Sequence, residues 1–261
     1  MLSCFNPKTE KDIHWRTLMA VVESGGGEYV DKVMKTAKLV TKKRLDFSGA
    51  IEIVKNLTPE EGIALWDGWK EARKKAKGVG FGFVFGQSPQ GFIGYAKTKY
   101  GFEPTLQEST LFRNAFFNLY QALPAWHERQ KKIVHQDGFV RNMMGRKRRL
   151  PGIYSNDRQL VSECERQAIN SPIQGAVGDL KAMILVQLMD TFDWGEFRIV
   201  GEVHDSILCW IQTSQLKNLL PQIHEIAEHP QLARECGLKF PIPMTVTVEV
   251  GPWGSGERWN P

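Results

Sequence analysis

Several features are scarce or missing in this sequence, and each absence excludes a class of protein. The four cysteines, Cys4, Cys164, Cys209 and Cys236, lie far apart and lack the paired spacing of metal sites, so we expect reduced thiols. No apolar run approaches the roughly 18 residues that a membrane-spanning helix needs. The N-terminus shows no basic start followed by an apolar stretch, so no secretory signal is expected. These absences predict a cytoplasmic protein with no membrane partner.

The composition is that of an ordinary globular protein. The 261 residues are 42% hydrophobic and 24% charged, a length that suffices for one large domain or two small ones. The net charge of +5 and the pI near 9.0 suit a polyanionic partner but also occur in proteins without one. The basic residues concentrate in two clusters, Arg73, Lys74, Lys75 and Lys77, and Arg141, Arg146, Lys147, Arg148 and Arg149.

Apolar periodicity and capping residues predict helices along most of the chain. They are expected at Asp12–Val22, Pro59–Lys77 with a continuation towards Phe85, Leu106–His135, Arg158–Asn170, Ile173–Asp190 and Ser214–Glu228. Thr58, Pro59 and Glu61 form a capping box with proline at the first helical position. The glycines at 78, 80 and 82 would cost this helix roughly 2–3 kcal/mol relative to alanine. They indicate either a weak helix or a backbone that approaches a ligand.

Two segments of the C-terminal half have the composition of strands. Arg198–Ile211 is rich in Val, Ile and Trp and is interrupted at Gly201 and at Asp205-Ser206, while Met244–Val250 alternates Thr with Val. A strand, a tight polar turn and a returning strand would place Asp205 at the tip of a hairpin. The predicted fold class is therefore α+β, with a helical N-terminal half and a small antiparallel sheet backed by helices.

The first group of residues that could carry chemistry is Arg73, Lys77, Phe81 and Phe85. Because residues four apart share one face of a helix, this face would present two cations and then two rings. Cations neutralise a triphosphate, and a ring stacks on a base or sugar. A solvated basic face that runs into apolar core is the ordinary alternative.

Two further groups lie in the C-terminal half. Arg166, Asn170 and Gln174 are again four apart and could reach a nucleic-acid minor groove. Pro172 predicts that two helices meet among them, where a polar cap is the ordinary alternative. Val203-His204-Asp205-Ser206 places a carboxylate at a strand turn, where it could bind Mg²⁺ or be a plain hairpin aspartate.

Taken together and in order, these segments resemble the motifs of family A (DNA polymerase I-like) DNA polymerases. Arg73–Gly86 is similar to motif B, Val203–Ser206 to motif C (Val-His-Asp-Glu), Glu165–Gly175 to the intervening Arg-Ala-Ile-Asn-Pro-Gln-Gly type segment, and Asp12-Ile13-His14 with Thr17 to the segment before motif B. Asp137–Arg149 and Val248–Gly254 extend the likeness over nearly the whole chain. Phe85 and Ser206 depart from the family's usual Tyr and Glu.

The resemblance implies roles for individual residues. Arg73 and Lys77, assisted by His14, would bind the incoming dNTP, and Phe81 would pack on its sugar and base. Arg73, Lys77 and Asp205 would be catalytic, and Asp205 would bind metal. Contacts with primer–template DNA would come from Phe85, Gly86, Ser88, Arg166, Asn170, Gln174 and His204.

The resemblance also implies a domain division and a missing part. Residues 1–150 would form the fingers, with an insertion around residues 23–58, and residues 151–261 the C-terminal part of the palm. Family members carry a second metal-binding Asp in motif A, upstream of the Asp-Ile-His segment, and no such motif precedes Asp12 here. Two Mg²⁺ ions would then be completed by a second polypeptide that carries motif A, the thumb and, in some arrangements, an exonuclease.

The leading hypothesis is therefore one chain of a split DNA polymerase, inactive without its partner. Met1 lies at a suitable break point, and a phage origin would place the chain in the host cytoplasm. One alternative is a non-catalytic remnant that binds nucleic acid or nucleotide. Another is an enzyme active alone through Asp46, although Asp46 to Glu52 spans six residues rather than the five of motif A.

Overall fold

The computed structural model describes residues 13–24, 29–66, 68–238, 244–251 and 256–259. The helices in these ranges are α1 (Ile13–Glu23), α2 (Val30–Thr41), α3 (Phe47–Val54), α4 (Pro59–Leu65), α5 (Trp69–Val84), α6 (Pro89–Tyr100), α7 (Leu106–Leu119), α8 (Ala122–Asp137), α9 (Arg158–Thr191), α10 (Leu216–Glu228) and α11 (Gln231–Glu235). The strands are β1 (Phe139–Arg141), β2 (Lys147–Arg149), β3 (Phe197–Val203), β4 (Ser206–Ile211), β5 (Val248–Val250) and β6 (Glu257–Trp259), paired consecutively into three two-stranded sheets. The α+β class is thus confirmed.

The chain forms two compact units. The first takes the described parts of Met1–Val140 together with Arg149–Asn170, and the second takes Arg141–Arg148 with the described parts of Ser171–Pro261. In the ranges that the structure describes, no helix is long and apolar enough to cross a lipid bilayer. Cys164, Cys209 and Cys236 are free thiols, as predicted, whereas Cys4 and Asp12 lie outside the described residues.

Tryptophan rings form the first core of unit 1. The Trp15 ring lies 3.9 Å from the Trp69 ring and 5.0 Å, edge-on, from the Trp66 ring. The Trp15 indole N–H donates to the carbonyl of Val54, at 2.8 Å. This cluster holds helices α2, α3 and α4 against α1 and α5. The segment predicted to be an insertion therefore shares a core with the helix that carries Arg73 and Lys77.

A second core lies beneath the C-terminal half of α5 and explains its glycines. Phe83 is fully buried and packs 4.7 Å from the ring of Phe92 on α6. A Cβ at Gly82 would meet the Phe92 ring at 2.6 Å, and one at Gly78 would meet Tyr100 at 3.0 Å. The helix runs unbroken to Val84. Two of the three glycines therefore serve close helix–helix packing, which neither of the two sequence-based explanations included.

We expect Gly82→Ala to lower the free energy of unfolding by about 1–2 kcal/mol, because overpacking against Phe92 outweighs the gain in helix propensity. Gly94→Ala is the matched control, since it lies in α6 with nothing within 4 Å of an added Cβ. The control should stabilise by about 0.5–1 kcal/mol. Urea unfolding followed by circular dichroism measures both, and equal shifts in the two variants would contradict the packing argument.

The core of unit 2 lies between α9, the β3–β4 hairpin and α10. Leu180, Ile184 and Leu188 follow one stripe of α9 and pack with Phe197 of β3 and Leu219 of α10. The hairpin is antiparallel and closes at the pair Val203 and Ser206. The predicted hairpin with Asp205 at its tip is therefore confirmed.

Several predicted element boundaries are wrong. Pro59–Lys77 is not one helix, because Trp66 leaves α4 with an extended backbone while its ring is buried among the tryptophans. Leu106–His135 divides at Tyr120, whose ring packs 4.9 Å from that of Phe116. Conversely, α9 continues through Pro172, although a proline inside a helix removes one backbone hydrogen bond and crowds the carbonyl four residues earlier. The predicted strand Met244–Val250 is regular only over β5.

Candidate active site

One exposed face of α5 carries the first group of predicted site residues. Arg73, Lys77 and Phe81 are spaced by four within the 16-residue helix, while Ala72, Ala76 and Val79 on the other side are buried. The Lys77 side chain is exposed, and 38% of the Phe81 surface is accessible despite its aromatic ring. The helix thus presents a cation and an aromatic ring to a ligand, as the spacing predicts.

The Phe81 ring is surrounded by other predicted site residues. The Lys77 ammonium lies 5.7 Å from its centroid, and the rings of His14 and Phe85 lie at 6.0 Å and 6.2 Å. Among the described residues, a Cβ at Gly80 would have the His14 imidazole as its one neighbour within 4 Å, at 3.9 Å. The structure therefore brings His14, Lys77, Phe81 and Phe85 together on one surface.

The end of α5 is held in place by contacts within unit 1. The buried imidazole of His127 on α8 lies 3.0 Å from the carbonyl of Val84, and burial lowers the pKa of His127. Gly86 has φ +80°, and a Cβ there would meet Ile169 of α9 at 2.8 Å. Ser88 is engaged as the N-cap of α6, where its hydroxyl accepts from the Gly91 amide at 3.0 Å.

Asn170 and Arg166 lie on α9, still within unit 1. The Arg166 guanidinium donates to the Ser162 hydroxyl one turn earlier, at 3.0 Å. The carbonyl oxygen of the Asn170 side chain is buried and has no hydrogen-bond partner among the described residues. Because buried polar atoms in native proteins are nearly always paired, this oxygen is suited to a donor from a bound molecule. Gln174, one turn further, is exposed in unit 2.

His204 and Asp205 form the two-residue loop between β3 and β4 in unit 2. His204 has φ +53°, a conformation that costs a non-glycine residue free energy and is enriched at functional sites. Both side chains are exposed. The turn therefore projects the Asp205 carboxylate into solvent at the end of a sheet.

Lys181 fastens this turn to α9. Its ammonium donates to the His204 carbonyl at 2.9 Å and pairs with the Glu202 carboxylate at 2.9 Å. Only 22% of the Lys181 side chain is exposed. Sequence reasoning missed this residue, because a lysine on a broad apolar helix carries no local signal of a contact 23 residues away.

Asp179 makes a similar attachment for the β1–β2 loop of unit 2. One carboxylate oxygen accepts from the Asn142 amide, and the other pairs with the Arg146 guanidinium at 2.8 Å. Asn142 is buried, and the oxygen of its side-chain amide, Oδ1, accepts hydrogen bonds from the backbone amides of Met144 and Arg146 at 3.0 Å each. Part of the predicted basic cluster therefore has a structural role.

Asp205 is the residue that the sequence predicts to bind metal. Asp205 supplies an exposed carboxylate oxygen of the kind that Mg²⁺ prefers, but Mg²⁺ in such sites is usually held by more than one carboxylate. Across the described ranges, no three His, Cys, Asp or Glu side chains converge on a common point. Asp46 is engaged elsewhere, since its side chain caps α3 by accepting from the Gly49 amide at 2.8 Å.

Comparison with known proteins now decides the family. The model of DNA polymerase family A matches residues 61–255. This chain belongs to that family. DNA polymerase I of Aquifex aeolicus is 35% identical over 193 residues, 73% of this chain and 30% of the relative. DNA polymerase I of Pseudomonas aeruginosa is 29% identical over 76% of this chain, and a DNA polymerase of Bacillus phage SP01 is 29% identical over 64%.

This family A chain spans less than a third of the length of these relatives: 30% of the Aquifex aeolicus protein, 20% of the Pseudomonas aeruginosa protein and 18% of the phage protein. A solved structure shares its fold. The polymerase domain of Pol1 from M. smegmatis, in complex with DNA primer-template and dNTP, aligns with a TM-score of 0.58 over 89% of this chain and 36% of that one. At 19% sequence identity the likeness shows the fold alone.

Family membership confirms the resemblance drawn from the motifs, since the matched range contains motif B and motif C. It does not test the individual residue roles or the fingers and palm boundary, which stay predictions. Helices α2 and α3 lie outside the matched range.

Proposed function

We propose that this chain supplies the nucleotide-binding surface and one metal-binding carboxylate of a DNA-directed DNA polymerase. The observation that carries the proposal is the α5 surface, where Lys77 and Phe81 lie beside His14. Lys77, Phe81 and Asp205 all fall within the range that the family A model matches. The fingers would be residues 1–150 and the palm part residues 151–261.

The chain's own residues would act by positioning and charge. Arg73 and Lys77 neutralise the triphosphate of the incoming dNTP, and Phe81 packs against its sugar and base. Phe85 and Gly86, at the end of α5, would line the site of the templating base. The unpaired side-chain oxygen of Asn170 would accept a hydrogen bond from a donor in the minor groove. Arg166, Gln174 and His204 add contacts to primer and template.

Asp205 would hold Mg²⁺ at the hairpin tip together with a carboxylate from outside the described residues. Such ions lower the pKa of the attacking 3′-hydroxyl and stabilise the charge that develops on the leaving pyrophosphate. The protein's task at this site would be to position the Asp205 carboxylate, and the contacts of Lys181 with His204 and Glu202 tie the backbone of the turn to α9.

An unpaired sheet face supports completion of the palm by another polypeptide segment. Phe197, Ile199 and Cys209 turn one face of the hairpin to the core, while the other face exposes 58% of Val200 and 45% of Trp210. Arg198 covers Trp210 only in part, at 5.1 Å from its ring. The other described strands do not pair with this hairpin, so its exposed apolar face and its two edges offer a surface to a further strand. We propose that a strand-bearing segment with motif A covers it, as a separate chain in a split polymerase.

The alternative of an enzyme active alone through Asp46 has less support. The Asp46 carboxylate already accepts from the Gly49 amide, which is the ordinary work of an N-cap residue. A non-catalytic binding remnant would keep the α5 surface but would not need the strained turn at His204.

Primer extension with Mg²⁺ and dNTPs tests the proposal. The chain is assayed alone and then with a polypeptide that carries motif A and the thumb of a family A polymerase. Trp210→Ser and the exposed Trp194→Ser are compared in the mixture. We expect no DNA synthesis by the chain alone and synthesis when the partner is added. Trp210→Ser should assemble with the partner more weakly than Trp194→Ser. DNA synthesis by the purified chain alone would refute the split arrangement. A stable complex that synthesises no DNA would favour the non-catalytic binding remnant.

Lys181→Met should lower the rate of synthesis by the assembled enzyme roughly 10- to 100-fold, because a misplaced carboxylate loses catalytic geometry. The KM for dNTP should change little, since the α5 surface is untouched. Raising the Mg²⁺ concentration should restore part of the loss. The conservative control is Lys181→Arg, which keeps a donor for the His204 carbonyl, and an equal loss in both variants with no response to Mg²⁺ would contradict the positioning role.

A further inference from the structure

The outward face of α2 is a row of basic side chains. Lys35, Lys38 and Lys42 recur at spacings of three and four, on the side opposite the buried Val33 and Ala37. Lys43 and Arg44 follow immediately, and all five side chains are exposed. We call these five residues the α2 basic row. It covers roughly 10 Å of the helix axis at 1.5 Å per residue.

The basic row makes the segment around α2 strongly basic. Residues 29–58 contain seven Lys and Arg against three Asp and Glu, a net charge of +4 out of +5 for the whole chain. No ion pair joins the five side chains of the row to any residue that the structure describes. Cations collected on one face without counterions repel one another, so the row is best accounted for by a polyanionic ligand.

The row is fixed to the helix that carries the proposed nucleotide site. Val33 and Ala37 on the inner face of α2 belong to the same core cluster as Trp69, Ala72 and Ala76 of α5. A ligand bound along α2 is therefore held by the same rigid unit as Lys77. Helix α2 lies outside the range matched by the family model.

We propose that the α2 basic row binds the phosphodiester backbone of DNA as a second, sequence-independent contact. Lysine ammoniums act as point charges towards phosphates and do not fix the planar, bidentate geometry that reads a base edge. The exposed neighbours on this face are the aliphatic Leu39 and Val40, so the row offers no ring for base stacking. The inference rests on the proposed function only in taking DNA as the polyanion.

The test measures DNA affinity by fluorescence anisotropy without nucleotide or Mg²⁺, over a series of salt concentrations. The triple variant Lys35→Gln, Lys38→Gln, Lys42→Gln is compared with a control that removes the same charge from three scattered exposed lysines, Lys99→Gln, Lys132→Gln, Lys217→Gln. The probes are a single-stranded oligonucleotide and a blunt duplex of unrelated sequences. Circular dichroism checks that both variants keep their helix content.

The row variant should bind at least about tenfold more weakly near 0.1 M salt, with a salt slope reduced by roughly 2–3. If the row variant loses affinity for just one of the two probes, that probe shows whether the row binds single-stranded or duplex DNA. Equal losses in the row and control variants, or a row that binds vesicles of anionic lipid while DNA affinity is unchanged, would overturn the proposal. Primer extension at saturating DNA is measured in a separate experiment. If the row proves not to bind DNA, the proposed catalytic function can therefore still be tested.

Discussion

Asp205→Asn should abolish DNA synthesis by the assembled polymerase, with a loss on the order of 10³-fold or more. The substitution keeps the size of the side chain and the hairpin turn but removes the negative charge that holds Mg²⁺. Both Val203 and Ser206 retain their pairing, so the fold is not expected to change. Steady-state primer extension gives the rate, and anisotropy with a labelled primer–template shows whether DNA binding survives.

Asp46→Asn is the matched control for this result. Asparagine is as good an N-cap as aspartate, so α3 keeps its cap and synthesis should stay within about twofold. Loss of activity in both variants would mean that Asp46 takes part in catalysis and that the chain is a complete enzyme. Normal activity in Asp205→Asn would leave only a binding role for the hairpin tip.

The parts of the fold that sequence predicted are those set by local chemistry. The capping box at Thr58 is present with both of its hydrogen bonds, because a threonine and a glutamate three residues later satisfy one another's backbone amides. The hairpin at Asp205 follows from alternating apolar residues around a polar pair. Spacing by four likewise placed Lys77 and Phe81 together, since they share a single helix.

The parts that sequence missed depend on distant contacts. Helix α2 and the break at Trp66 exist because three tryptophans separated by up to 54 residues pack together. Pro172 predicted a helix junction by local rules, yet α9 continues through it, with Cys164 and Ala168 in a core of unit 1 and Leu180, Ile184 and Leu188 in the core of unit 2. Lys181 and Asp179 join α9 to the hairpin and to the β1–β2 loop, which lie far from them in the sequence. The local sequence therefore gives no sign of these contacts.

Lys77→Ala should raise the KM for dNTP roughly 10- to 100-fold. A charged hydrogen bond to a phosphate contributes about 1.5–3 kcal/mol, and its loss falls on the nucleotide. The Lys77 side chain is exposed, and its ammonium lies 5.7 Å from the centroid of the Phe81 ring, so the free energy of unfolding should change little. Steady-state kinetics at saturating primer–template separates this effect from DNA binding.

Asn170→Ala provides the opposite outcome in the same assay. Its buried side-chain oxygen has no partner in the described structure, so its removal should cost little stability but should weaken primer–template binding. The expected pair of results is a changed dNTP KM with normal DNA affinity for Lys77→Ala, and the reverse for Asn170→Ala. If both variants lose the same parameter by the same factor, α5 and α9 do not divide nucleotide and template binding between them, and the proposed roles of both residues fail together.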